Sequence, residues 1–148
     1  MISDIPAQNI EAEKSLLGSL LMNNKYFNDC EYLVNDDFYK SANGIVFDSM
    51  LAIRGKGQKV DAESVWFEIT KNKQESKIPG PDYLVDIMEN YPLFNVKKYA
   101  EIIKDCSLTR SVKFRCMNIL DSELTGEDVL SMAQSAMLEV QATRTRTI

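Results

Sequence analysis

Hydrophobic residues recur at helical spacing almost from the start of this chain. In "QNIEAEKSLLGSLL", residues 8–21, Leu16, Leu17, Leu20 and Leu21 mark one face of a helix. Asn9 stands where a cap is needed. Glu11 and Glu13 fall in the first turn, where negative charge suits the positive end of the helix dipole. Gly18 interrupts this run, although a glycine inside a helix costs roughly 1 kcal/mol relative to alanine. We therefore expect close helix packing at Gly18, against the segment 46–51 or the segment 65–69. "MNNKYFND" breaks the helix, with Asn23 and Asn24 suited to the left-handed conformation that ends helices. Tyr26, Phe27, Cys30, Leu33 and Val34 predict a short second helix, and Phe38 and Tyr39 anchor the turn "NDDFYKSANG".

A third helix is predicted over 41–54, with Val46, Phe47, Met50, Leu51 and Ile53 as its apolar members and Gly55 and Gly57 as its stop. Asp61, with Ser64 three residues on, opens a fourth helix whose inner face is Val65, Trp66 and Ile69. The loop "KNKQESKIPGPD" is polar and rich in helix breakers. Asp82 is read as the cap of a fifth helix holding Tyr83, Leu84, Ile87 and Met88, interrupted by Pro92. The pattern then changes. No Pro or Gly occurs from Asn95 to Asp121, a run of 27 residues, against about 11–12 for a mean helix. "SELTG" turns the chain, with Thr125 and Asp128 spaced as in a capping box. A last helix covers about 127–142, and "TRTRTI" reads as the start of a linker.

The fold class is therefore all-α: a compact bundle of short helices over 1–94, a long two-helix hairpin over 95–142, and the beginning of a linker over 143–148. The hairpin carries more apolar surface than two facing helices can bury. Val129, Ala133, Ala136 and Val140 form a heptad seam on the last helix, with Leu130 and Met137 in a second row and Met132 and Leu138 pointing elsewhere. On the long helix Tyr99, Ile103 and Cys106 mark one row, Leu108, Val112, Cys116 and Ile119 another, and Phe114 and Met117 a third side. A helix apolar over more than one stripe needs more than one neighbour. A second copy of the hairpin would supply it, as a four-helix bundle about a two-fold axis. The residues expected to carry this self-association are Tyr99, Ile103, Cys106, Val112, Cys116 and Ile119, with Val129, Ala133, Ala136, Met137 and Val140.

Composition narrows the chemistry. The 148 residues include no histidine, which removes Ser-His-Asp triads, Cys-His pairs and histidine metal sites. Cys30, Cys106 and Cys116 are odd in number and widely spaced, as reduced thiols are. No apolar run reaches the length of a membrane span and no signal peptide is visible, so the expected compartment is the cytoplasm and no membrane partner is expected. The net charge of −5 argues against autonomous nucleic-acid binding. The local basic groups (Arg54, Lys56 and Lys59; Lys71, Lys73 and Lys77; Arg110, Lys113 and Arg115) read as solvated charge near helix ends and flanks. No P-loop, GxGxxG, GxSxG or HExxH occurs. Asp36–Asp37 and Asp61–Glu63 occupy turn and cap positions, where structural roles suffice. Catalytic, cofactor-binding and metal residues are all expected to be none. The residues describe an all-helical interaction module.

One resemblance sharpens this. "PAQNIEAEKSLLGSLLMNN" resembles the start of bacterial and phage replicative DNA helicases of the DnaB type, which open with a proline, a short polar step and an E-A-E-x-S-[VL]-L-G pattern. In order, "DDFYKSANGIVFDSML", "KVDAESVWFEI", "DYLVDIMENYPLFNVKKYAEIIKD" and "EDVLSMAQSAMLEV" resemble later pieces of that family's N-terminal domain. The likeness covers Pro6 to about Gln141. Ser41 and Asn43 stand where the family often has Pro and His, and Gly80-Pro81-Asp82 where it often has Gly-Gly, as in a divergent member.

The resemblance implies a helical bundle and hairpin whose pairing makes a dimer, and whose trimer of dimers forms a collar on a hexameric helicase. It further implies docking of primase and helicase loader, with DNA reached only through the full-length helicase. A linker then leads to an ATPase domain, which this chain lacks and for which alone ATP and Mg are expected. The alternative is a stand-alone helicase-binding or loading factor with the same helical fold. A small enzyme built on Asp36, Asp37 or Asp61 is the remaining reading.

Overall fold

A computed structural model describes residues 6–91 and 95–145. Among them are six α-helices and three short 3₁₀ turns, with no strand. The helices are α1 (Ile10–Met22), α2 (Ser41–Gly55), α3 (Ala62–Lys71), α4 (Pro81–Asn90), α5 (Val96–Asp121) and α6 (Gly126–Thr145). The 3₁₀ turns are Asn24–Asp29, Asn35–Asp37 and Glu75–Lys77. Pro92, read as the interruption before the hairpin, lies outside the described residues, as do 146–148 of the expected linker. The described part of that linker, up to Thr145, is still helix.

The bundle forms around α1, which is buried on most of its circumference and packs against α2, α4 and α5. Leu16, Leu17 and Leu20 have no exposed surface. Phe27, Phe47, Met50, Ile69, Leu84 and Ile87 close the same core. Burial of such side chains contributes roughly 1.5–3 kcal/mol each relative to exposure. The Asn9 side chain accepts from the Ala12 N–H at 3.0 Å, so the expected cap of α1 is present.

Gly18 is a contact point, but with a different neighbour from those expected. A Cβ at Gly18 would lie 2.6 Å from the carbonyl oxygen of Ile87, so α4 rather than α2 or α3 fits against it. Gly44 does the same for the turn before α2, where a Cβ would lie 2.8 Å from the Asn35 carbonyl oxygen. Neither asparagine after α1 is left-handed. Asn23 is extended, and its side chain accepts from the Lys25 N–H at 3.0 Å. Asn24 donates to the Leu20 and Val60 carbonyls, both at 2.9 Å, and accepts from the Val60 N–H at 2.8 Å. An amide can satisfy the end of α1 and a loop 36 residues on at once, which a left-handed turn cannot.

The segment read as a second helix is a 3₁₀ turn, with Phe27, Cys30 and Leu33 buried and Tyr26 and Val34 exposed. Asp61 and Ser64 form a reciprocal capping box at 2.8 and 3.0 Å. Helix α4 starts two residues earlier than expected: Gly80, not Asp82, is its cap at φ +149°, and Pro81 occupies the first turn, where a missing N–H costs nothing. At α6 the Asp128 N–H donates to the Thr125 carbonyl at 3.2 Å.

Helix α5 belongs to both parts of the molecule. Val96, Ala100 and Ile103 lie in the bundle core and pack with α1, whereas the second half of α5 pairs with α6. The border between bundle and hairpin therefore runs within α5, not at residue 94. At 1.5 Å per residue, α5 is about 39 Å long and α6 about 30 Å.

Candidate interaction surface: the hairpin and its base

Two buried carboxylates fix the frame from which the hairpin projects: Glu13, expected only to suit the dipole of α1, and Asp37, expected only to shape a turn. Glu13 is 2 % exposed. Its carboxylate accepts from the backbone N–H groups of Tyr39 (2.7 Å) and Lys40 (3.3 Å) and from the Asn43 amide (2.9 Å). Helix α2 has no side-chain cap of its own, so Glu13 of α1 serves its N-terminus from outside. Tyr83 donates to Asn43 Oδ1 at 2.5 Å, which brings α4 into the same network. Burial, together with the nearby Glu13 charge, holds the Tyr83 phenol well above its usual range.

Asp37, also 2 % exposed, ties the turn before α2 to the middle of α5. It accepts from the Val34 N–H (2.8 Å), Ser107 Oγ (2.8 Å) and Lys104 Nζ (3.1 Å). One turn further along α5, Arg110 donates to the backbone carbonyls of Asp37 (2.9 Å) and Ala7 (2.7 Å), and its guanidinium lies over the Tyr39 ring. Lys104, Ser107 and Arg110 recur at three-residue spacing on one helix face. They dock α5 against the bundle where its apolar contacts end.

Beyond this dock a groove of about 810 Å³ opens between the bundle and the hairpin. Ala7, Phe38 and Tyr39 line it from the bundle side, and Lys113, Phe114 and Met117 from α5. Arg115 pairs with Glu139 across the hairpin, while its Nε is buried with no partner.

The residues expected to pair two copies fall into three groups. Ile103 is 2 % exposed in the bundle core, with Tyr99 packed at its edge, so these two hold α5 to its own bundle. Ala136 and Val140 are buried, and Cys106, Val112, Ile119, Val129, Ala133 and Met137 are half-buried. Helix α5 is the principal neighbour of α6, so the heptad seam of Val129, Ala133, Ala136 and Val140 closes the hairpin within one chain. Cys116 is exposed. The large apolar side chains left in solvent are others: Phe114 (64 %), Met117, Leu120 (74 %), Leu124, Leu130 and Leu138 (66 %). Phe114 and Met117 were recognised as a further side of α5. The exposure of Leu120 and Leu124 emerges only once α6 has taken its stripe.

Candidate chemistry elsewhere is accounted for by structure. Asp37 and Asp61 have the hydrogen-bonding roles given above, and Asp36 is exposed. No group of three potential metal ligands occurs among the described residues. Arg54 pairs with Glu31 and Lys56 with Glu68, as basic groups at helix ends do. Cys30 is buried, and desolvation pushes its thiol up to about 12. No helix among the described residues is long and apolar enough to cross a membrane.

Comparison with known proteins agrees with this architecture. Residues 5–105 match the model of the DnaB-like helicase N terminal domain. The chain is 30 % identical over 142 residues to the replicative DNA helicase DnaC of Bacillus subtilis and 31 % identical over 142 residues to the replicative DNA helicase DnaB of Geobacillus stearothermophilus. Each alignment covers 92 % of this chain and 31 % of the relative, so the chain spans about a third of these helicases. The crystal structure of the N-terminal domain of DnaB helicase from Mycobacterium tuberculosis superposes with a TM-score of 0.85 at 28 % identity, covering 92 % of this chain and 99 % of that one. The family model spans more than half of the residues and the overall fold is that of a DnaB N-terminal domain, so this chain belongs to the DnaB-like helicase N-terminal domain family.

Proposed function

We propose that this chain serves a ring-forming replicative DNA helicase as its assembly and docking domain. The hairpin pairs two copies, pairs combine into a collar, and the collar offers a landing place for primase or loader. ATP hydrolysis, magnesium binding and movement on DNA belong, in this reading, to an ATPase domain of the kind that would fill the remaining two-thirds of its relatives' length.

The observation that carries this reading is the outward face of the hairpin. Phe114, Leu120 and Leu138 are each more than 60 % exposed, on two helices already paired with one another. Large apolar side chains left in solvent by a hairpin whose two helices are already paired, and rimmed by polar residues, mark interaction sites. Sedimentation equilibrium over a wide concentration range tests it. A reversible monomer–dimer equilibrium is expected, weakened by Leu120→Lys or Leu138→Lys. A strict monomer at high micromolar concentration would overturn it.

A further inference from the structure

We propose that the groove at the base of the hairpin is a binding site for a small aromatic anion, a compound with a flat apolar body and an acidic group. The site lies within one chain and does not depend on the pairing proposed above.

Size and lining define the body of the ligand. The groove's volume of about 810 Å³ falls inside the range of small-molecule sites, roughly 300–1,000 Å³. Apolar surface predominates, and rings enter from both sides: Tyr32, Phe38 and Tyr39 from the bundle, Phe114 from α5. Tyr39 and Phe114 are exposed, so both can receive a flat ligand. The Tyr39 ring is held in place by the Arg110 guanidinium, 5.5 Å from its centroid, and Arg110 is itself anchored to the Asp37 and Ala7 carbonyls. Because bundle and hairpin each supply walls, an occupant would bridge the two.

Charge selects an anion. Lys104, Arg110, Lys113 and Arg115 line the groove against Asp36 and Asp37, in a chain whose net charge is −5. Asp37 is already engaged by Lys104 and Ser107. Asp36 is exposed, where water and salt screen it. Two cations then remain for a ligand. Lys113 forms no ion pair among the described residues. Arg115 directs one NH₂ group to Glu139, while its Nε is buried with no partner. A buried donor without an acceptor is costly, and an acidic oxygen would satisfy it. Successive residues of a helix are turned by about 100°, so Lys113 and Arg115 flank Phe114 from either side. A ring on Phe114 thus has a cation at each edge. An inorganic anion would leave the rings uncovered, and a neutral aromatic would leave both charges unmet.

Fluorescence titration of the whole chain tests the site. The probe is anilinonaphthalenesulfonate, and its control is phenylnaphthylamine, the same ring system without the sulfonate. The sulfonate dye is expected to saturate at one molecule per chain and to bind at least about fivefold more tightly than the neutral dye. Lys113→Glu should remove most of that advantage, and added salt should reduce it. Ser111→Trp, which fills the groove from α5, should block both dyes. Phe114 belongs also to the outward face of the hairpin and is left intact. Leu120→Lys and Leu138→Lys, which alter that face alone, should leave dye binding unchanged. Circular dichroism confirms that each variant is folded. Binding that does not saturate, that is as strong without the sulfonate, or that survives Ser111→Trp but is lost in Leu138→Lys overturns the site. A chain that is monomeric by sedimentation yet binds one dye through Lys113 supports the site and overturns only the pairing.

Discussion

Gly18 of α1 and Ile87 of α4 meet backbone to backbone, with room for hydrogen and nothing larger: a Cβ on Gly18 would sit 2.6 Å from the Ile87 carbonyl oxygen. Replacing glycine by alanine inside a helix normally stabilises by about 1 kcal/mol. Here the sign reverses. Gly18→Ala is expected to lose roughly 1–3 kcal/mol, and Gly18→Leu more, because a carbonyl fixed in α4 cannot yield as a side chain can. Urea denaturation measures it, and an unchanged midpoint for Gly18→Leu would refute the contact.

Glu13→Gln keeps the shape of the side chain while removing its charge. The three donors aimed at it then face one oxygen and one NH₂, so at least one is left opposing another donor. A loss of roughly 1–3 kcal/mol is expected. Since Tyr39, Lys40 and Asn43 mark the start of α2, hydrogen exchange in its first turn should accelerate more than in α3.

Asp37→Leu removes the acceptor shared by Val34, Ser107 and Lys104. Loss of one partner of a buried pair costs about 3–5 kcal/mol. Lys104 retains 15 % side-chain exposure and can turn toward water, so the lower end is expected. The effect should appear as faster exchange near Asp37 and in the middle of α5, with less change in α4.

Cys30 makes the fold sensitive to alkali in a defined window. Its thiol, ordinarily near 9.0, is held up at about 12 by burial first and by the adjacent Asp29 and Glu31 charges second, with Arg54 opposing. A raised native value means that stability is fully present below pH 9 and declines as pH climbs toward 12. Cys30→Ala should flatten this part of the pH–stability curve, leaving the contribution of Tyr83, whose phenol is raised in the same direction. A thiol reagent at pH 8 should label exposed Cys116 quickly and Cys30 only as the protein unfolds.

Helices and family were legible because helical periodicity is local and the E-A-E-K-S-L-L-G order is distinctive. Glu13 and Arg110 show what escaped. Glu13 stands at i to Leu16, Leu17 and Leu20 at i+3, i+4 and i+7, so the buried stripe already runs through it. Its charge directed attention to the helix dipole, and the donors that permit its burial come from 26 to 30 residues away. Arg110 likewise follows Ile103 by seven residues on the docked face of α5, yet it holds backbone carbonyls that no side-chain pattern reveals. The hairpin seam at Ala136 and Val140 was visible as a stripe. Whether a stripe meets its own chain or a second one depends on how many neighbours the fold supplies, which periodicity does not encode. The partner of Gly18 was missed for the same reason.

The continuity of α5 from the bundle core into the hairpin makes it a lever. Its fulcrum lies at Asp37 and Arg110, and its arm runs from there to Asp121 over about 17 Å of unbroken helix. A tilt of about 10° at the fulcrum displaces the tip by about 3 Å. Rearrangements near Asp37 too small to disturb the bundle are thereby magnified at the exposed end of the hairpin.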